Sequence, residues 1–451
     1  MRRSSSQERQ PLPKGFGTIW TTVAIDLIGF GIVLPILPQY AEKFGASATT
    51  IGVLVASFSM AQLVCAPLWG RLSDRIGRKP VLLISLFGTA VGSLLTGVAG
   101  GVAGGLALLF VGRIIDGASG ASVSVAQASV ADVAAPRDRA RLMGLLGAAF
   151  GVGFVAGPAI GAVGALVGPQ VPFYIAAVIS CVNAIVAIRR LPETSPDHVR
   201  TTIRPAPGGP ATLDDLDLDL EAELERVGTL DGPQPGTPIE AAARSGGAAA
   251  PEAAGGGDRA RVDVQVIVRL IAVSFVGMVA FSGFEATFAL LTDARFGLHL
   301  SGTGAVFTVI GLALVAVQVG VVGRVNDRLG ESNTLRAGLV CNAMGLALLA
   351  VDGGWATLVP SLALLVLGQG LITPTLSSAV AGRAGRARGR WLGWQQSAGG
   401  LARVLGPILA GAIFQHIGVG APYVIGAVLA LVALTLVPST SGAPQPATAP
   451  H

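Results

Sequence analysis

The sequence predicts an all-α integral membrane protein built as two related six-helix bundles, and three observations carry that reading. Of its 451 residues 51% are hydrophobic and only 13% charged, with a mean hydropathy of +0.67; a soluble domain uses about 25% charged residues. Twelve apolar stretches can be drawn, each near the roughly 20 residues that cross about 30 Å of hydrocarbon. Arg and Lys gather in alternate connections between those stretches, as they do when the count and order of spans are right.

The first six spans are expected over 18–39, 50–72, 80–100, 105–130, 142–167 and 171–190, and the last six over 268–291, 302–325, 334–351, 356–381, 391–415 and 422–437. One set of connections holds Arg2, Arg3, Arg9 and Lys14, then Arg71, Arg75, Arg78 and Lys79, then Arg137, Arg139 and Arg141. It continues with Arg324, Arg328 and Arg336 and with Arg383, Arg386, Arg388 and Arg390. The other set holds only Lys43 and Arg295. This asymmetry predicts a multi-pass protein of the cell (inner) membrane with both termini cytoplasmic. The net charge of +5 then reflects topology, and no nucleic-acid partner is expected.

The expected organisation is a cytoplasmic tail (1–17), a six-helix bundle (18–190), a linker (191–263), a second bundle (264–438) and a cytoplasmic tail (439–451). The linker is rich in Pro, Gly and Ala with an acidic run, Asp214 to Glu225, a composition that buries too little apolar surface to order itself. Cys65, Cys181 and Cys341 have no metal-ligand spacing. No Gly-x-x-x-x-Gly-Lys-Ser/Thr loop or nucleophile motif interrupts the spans, so no metal, cofactor, nucleotide-driven step or enzymatic activity is expected.

The second half repeats the first. Gly70-Arg-Leu-Ser-Asp74-Arg-Ile-Gly77 follows the second span, and Gly323-Arg324-Val-Asn-Asp327-Arg328-Leu-Gly330 follows the eighth. Gly157-Pro158 stands in the fifth span and Gly406-Pro407 in the eleventh. The shared offset predicts parallel repeats, an arrangement in which a site lies between the halves near the bilayer midplane.

Ionisable groups deep in a span are costly and so point to function. Five stand out: Asp26 in the first span, Arg113 and Asp116 in the fourth, Glu285 in the seventh and Arg403 in the eleventh. Asp26 lies about nine residues into its span, roughly 13 Å deep at 1.5 Å per residue. Arg113 and Asp116, three apart, share one helix face and can pair. Three carboxylates against two guanidinium groups leave one acid without a counter-charge, the kind of group that takes up a proton on one side and releases it when its surroundings change. The partner of Arg403 stays open among Glu285, Asp116 and Asp26. In the fifth span Gly153, Gly157 and Gly161 form a small-residue stripe that admits a close helix neighbour, and Pro158 removes a backbone donor.

At these residues the chain resembles the twelve-span drug:proton antiporters of the major facilitator superfamily, and the tetracycline efflux proteins most. Gly70, Asp74, Gly77, Arg78 and Lys79 fit the superfamily's loop signature, and Gly153 to Gly161 looks like its fifth-helix antiporter motif. Asp26 with Gly31, Pro35 and Pro38 is similar to the first-helix motif, and Arg113 with Gly117 resembles the fourth-helix basic motif. The resemblance implies a major facilitator fold and a proton-coupled exporter of apolar or cationic small molecules working by alternating access, with protons and membrane lipids as its other partners. A dedicated native metabolite, siderophore or lipid-like substrate is the alternative on the same fold. It further implies that Arg78 meets Asp132 at the end of the fourth span while Asp74 meets the start of the eleventh, a latch at the cytoplasmic gate. The tetracycline exporters carry an acid in the third span, where this chain has Thr89.

Overall fold

The computed structural model describes residues 12–13, 15–134, 138–195 and 264–438. The expectations for Arg2, Arg3, Arg9, Lys14 and Arg137, for the linker beyond residue 195 and for the tail after residue 438 lie outside the described residues, as do the side chains of Arg139, Arg386 and Arg388.

The described residues fold into helices α1 (Phe16–Val33), α2 (Leu37–Glu42), α3 (Ala48–Ile76), α4 (Arg78–Val98), α5 (Gly105–Ser119), α6 (Ser122–Val133), α7 (Arg139–Val167) and α8 (Val171–Arg190). The second half supplies α9 (Val264–Phe296), α10 (Leu300–Gly320), α11 (Val322–Ala350), α12 (Trp355–Arg383), α13 (Arg388–His416) and α14 (Ala421–Leu436). With α5 and α6 forming one span, eleven are long and apolar enough to cross a bilayer, and α14, at 16 residues, is the short twelfth. The chain is thus an all-α membrane protein of two six-helix halves. Backbone hydrogen bonds close within each helix, the condition hydrocarbon imposes on a spanning segment.

Three expected elements differ in detail. The continuous span over 18–39 is two helices, because Pro35 and Pro38 lack the N–H groups that would bond the carbonyls of Gly31 and Leu34. Pro38 instead opens α2, where its fixed φ suits the first turn. The span over 105–130 breaks at Gly120–Ala121, between α5 and α6. The connection over Gly70 to Lys79 is not a loop: α3 stays helical to Ile76, and Gly77 alone, at φ 98°, turns the chain into α4. The second half repeats that hinge at Gly330, φ 74°, a conformation that side chains resist.

We call the end of the bundle that carries Gly77 and Gly330 the basic face, and the end where α2 meets α3 the opposite face. Where the two halves meet, the tight approaches lie toward the opposite face. Gly52 of α3 abuts the Pro407 carbonyl of α13, and Gly411 abuts Ala48; Gly304 and Gly311 of α10 abut the carbonyls of Pro158 and Phe154 in α7. Toward the basic face, Gly70, Gly144, Gly147, Gly323, Gly389 and Gly393 all have open space where a Cβ would stand. Among the described residues, the halves pack closely toward the opposite face and less closely toward the basic one.

Candidate functional site

Asp26 is partly buried in the middle of α1. That helix is fixed by the Asn183 amide of α8 donating to the Thr22 carbonyl at 2.9 Å, and by the Trp20 indole donating to Leu145 of α7 at 2.7 Å. Asp26 Oδ2 accepts from the Ser122 hydroxyl, in the first turn of α6, while Oδ1 is buried with no partner among the described residues. The break in the fourth span is what brings Ser122 there. It frees three carbonyls, and neighbours cap each: Trp69 donates to Ala118, Ser85 to Ser119 and Gln62 to Gly120. Ser85 in turn accepts from the Ala121 N–H at 3.2 Å. Uncapped carbonyls in hydrocarbon cost several kcal/mol each, so α3 and α4 are what make the break tolerable.

On the α5 side of the break, Arg113 Nη1 donates to Asp116 Oδ2 at 2.7 Å, and both residues are buried, 3% and 6% exposed. The guanidinium stacks 4.4 Å from the centre of the Phe58 ring, the planar, delocalised contact Arg favours. Thr89 of α4 lies beside Asp116, and Asp116 lies within electrostatic reach of Asp26. The third span's polar residue and the fourth span's acid therefore occupy one neighbourhood with Asp26.

In the second half Glu285, partly buried, follows Phe281 and Phe284 on α9, where Phe284, Phe288 and Phe307 form an aromatic run with ring separations of 5.0 and 5.5 Å. Of the three acids left open for Arg403 by the sequence, Glu285 lies within its electrostatic reach, with no ion pair between them within 4 Å. Arg403 is exposed and shares a helix face with Gly400 and Pro407, which meet α3 of the first half. Among the described residues, then, Asp26 and Glu285 are membrane-depth acids outside any direct ion pair.

The glycine stripe of α7 packs on α1, beside Asp26. A Cβ at Gly153 would strike Leu27, one at Gly157 would strike the Gly31 backbone, and one at Gly161 would strike Ile36. The other face of α7 meets the second half: Pro158 offers no N–H to the Phe154 carbonyl, and that carbonyl faces Gly311. The eleventh span repeats the scheme, with Gly406 against Ser282 and Val279 of α9, and Pro407 against Gly52. In each half the Gly–Pro step thus binds the first span of its own half through Gly and the second span of the other half through Pro.

At the basic face Arg78 bridges Asp132 at 3.0 Å and Asp74 at 2.6 Å, and donates to Ser73 at 2.7 Å. Asp74 is 66% exposed and stays with Arg78 in its own half; among the described side chains none at the start of α13 meets it. Gly70 has open space around it. A residue that the sequence reading missed completes the cluster: Glu193, just after α8, accepts from the N–H groups of Arg78 (2.8 Å), Lys79 (3.1 Å), Thr194 and Ser195 (both 2.9 Å). Burial alone would raise its pKa, but these four donors hold it below the usual carboxylate value. Its carboxylate fills the space that Gly77 leaves by lacking a side chain, and it satisfies the first donors of α4.

The second-half repeat holds a different pair. Asp327 and Arg328 are exposed and in no ion pair among the described residues, and Arg324 donates to the Gly320 carbonyl. The residue after Gly330 does the bridging: Glu331 pairs with Arg383, at the end of α12, at 3.0 Å. The repeat offset was the signal that could have found it, since Glu331 stands to Gly330 as Arg78 stands to Gly77.

Two six-helix parallel repeats, buried charge at mid-depth and halves packed more closely at one end than at the other define a polytopic membrane transporter with a small-molecule substrate. The family model of the Major Facilitator Superfamily matches residues 19–322 and 270–450, and the chain belongs to that superfamily. It is 28% identical to the class B tetracycline resistance protein of Escherichia coli, over 87% of this chain and 86% of that one. It is 24% identical to multidrug resistance protein 2 of Bacillus subtilis (strain 168), over 93% and 94% of the two chains. The crystal structure of the human organic anion transporter MFSD10 (TETRAN) superposes with a TM-score of 0.64 at 26% identity, covering 95% of this chain and all of that one.

Proposed function

We propose that the protein exports a small amphipathic compound from the cytoplasm in exchange for protons, by alternating access between the two halves. The basic face is assigned to the cytoplasm on the Arg and Lys asymmetry, which makes the present arrangement open to the cytoplasm. The observation that carries the reading is the pair of acids without ion partners, Asp26 on the first span and Glu285 on the seventh. Each half thus offers one carboxyl group that a proton or a cationic substrate can neutralise, so the two compete for it. Similarity to tetracycline and multidrug resistance proteins supports drug-like substrates.

Arg113 and Asp116, already paired, serve as a fixed charge frame beside Asp26, and Arg403 tunes Glu285 from a distance. The Arg78, Asp74 and Asp132 cluster serves the cytoplasmic gate: closure would carry Asp74 to the start of α13. Membrane lipids solvate the outer surface.

The exposed, ion-pair-free Arg403 favours a second reading, a dedicated anionic metabolite as substrate, which the likeness to an organic anion transporter also supports. Dye and tetracycline efflux from a drug-sensitive strain, with and without an uncoupler, separates the two. Uncoupler-sensitive efflux that is lost in Asp26→Asn at normal expression supports proton-driven drug export. Efflux indifferent to the uncoupler overturns the coupling, and absence of efflux for every cationic or neutral dye favours the anionic substrate.

A further inference from the structure

Between the two halves, two glutamines at the opposite face make side-chain hydrogen bonds. Gln415, near the end of α13, accepts from the Thr49 N–H at 3.1 Å and is exposed. Gln39 of α2 is different in kind. It is 4% exposed, and its Nε2 donates to the Ala289 carbonyl (2.9 Å), the Leu298 carbonyl (2.8 Å) and the Thr303 hydroxyl (2.9 Å) of the other half.

Local sequence builds both sides of this contact. Pro35 and Pro38 offset α2 from α1, so that Gln39 leaves the line of the first span. On the receiving side α9 ends at Gly297, φ 61°, whose N–H bonds back to the Asp293 carbonyl, the αL closure, while the Leu298 N–H bonds to the Thr292 carbonyl. That turn holds the Leu298 carbonyl in place, and Thr303 hydrogen-bonds Leu298 and pairs with Thr292 at 3.0 Å. The amide of Gln39 therefore enters a corner whose acceptors are already fixed, so little ordering is lost when it docks.

We infer that Gln39 is the latch that holds the opposite face shut: its amide must leave the α9–α10 corner before the halves can part there. The inference rests on the alternating-access reading above. Gln39 borders a polar pocket with Glu42, Lys43, Asp293 and His299, so opening exchanges its amide bonds for bonds to water, and the bias toward closure is the net surplus of the intramolecular bonds. Two N–H groups shared over three acceptors, at a net bond strength typical of proteins, amount to roughly a tenfold bias in the closed-to-open ratio.

The test uses the full-length chain with Cys65, Cys181 and Cys341 replaced, reconstituted in nanodiscs, and spin labels at Val102→Cys and Val351→Cys, which lie at the opposite face on different halves and are 50% and 56% exposed. Pulsed electron–electron distances report opening directly, without substrate. Gln39→Ala and the similarly long but donor-free Gln39→Met should each enlarge the long-distance population roughly tenfold. Opening in Gln39→Ala but not in Gln39→Met would overturn the hydrogen-bonded latch in favour of shape alone. A separate wedge, Gly52→Leu, keeps the two readings apart. If the wedge lengthens the distance and neither Gln39 variant does, the latch is wrong and alternating access stands; if none of the three lengthens it, the opposite face does not open and both fall.

Discussion

Glu331 pairs with Arg383 at 3.0 Å, at the place in the second half where Arg78 and Asp132 pair at 3.0 Å in the first, with the signs exchanged. In both halves the bridge ties the residue after the hinge glycine to the end of the following span. What the repeat preserves is thus the tie itself, and the polarity is free. A bond of complementary charge needs one partner of each sign, in either order, whereas a gate that must also attract a particular neighbour needs a fixed sign. Arg78 alone carries a second acid, Asp74, and the first half is where the gate was placed.

This gives a direct exchange experiment. Glu331→Arg alone should lower thermal stability by about 1 kcal/mol, the scale for a partly exposed pair, and adding Arg383→Glu should restore it. The swap Arg78→Asp with Asp132→Arg should restore stability only in part and still lose transport, because Asp74 would face Asp in place of Arg. Melting in detergent and efflux in cells read the two effects separately.

The buried pair behaves differently. Asp116→Asn leaves the Arg113 guanidinium, 3% exposed, without its counter-charge, and removal of one partner of a buried pair costs about 3–5 kcal/mol. The double variant Arg113→Met with Asp116→Leu should recover much of that loss in thermal melts. A double variant as unstable as the sum of its singles would show that the two residues act apart.

Close packing along α7 predicts a graded response. Gly157→Ala places a methyl group against the Gly31 backbone and should destabilise by about 1–3 kcal/mol, the range for overpacked contacts. Gly144→Ala, where the space is open, should be neutral or stabilising in the same melt, since Ala is the better helix former.

Glu193 makes stability at the basic face depend on pH. Its folded pKa is held below the ordinary one, so its contribution is complete above the ordinary carboxyl range and is lost as pH falls through the lowered folded value. Glu193→Gln should therefore cost about 1 kcal/mol, a typical helix-cap loss, at neutral pH, and the gap to wild type should close under acid. A gap that stays constant down to pH 3 would assign the loss to packing.

The spans and the repeat were legible because hydropathy and alternating basic connections are one-dimensional signals. So was the pairing of Arg113 with Asp116, which needs only the helical period. Pairings between helices were not: the acceptor of Gln39 lies 250 residues away or more, and rotation about each helix axis decides it. The break at Gly120–Ala121 was hidden for the same reason, since the residues that permit it, Gln62, Trp69 and Ser85, sit on other helices. Glu193 was obscured by its place at the start of a polar stretch read as linker.

Trp69, which caps the Ala118 carbonyl from α3, has a consequence for observation as well as for stability. Its indole is bonded to the very point at which the fourth span is interrupted, so its emission registers whether that interruption is intact. With Trp20, Trp355, Trp391 and Trp394 replaced by Phe, the remaining Trp69 becomes an optical gauge of the break that needs no added dye, and transport can be watched from inside the half that carries Asp26.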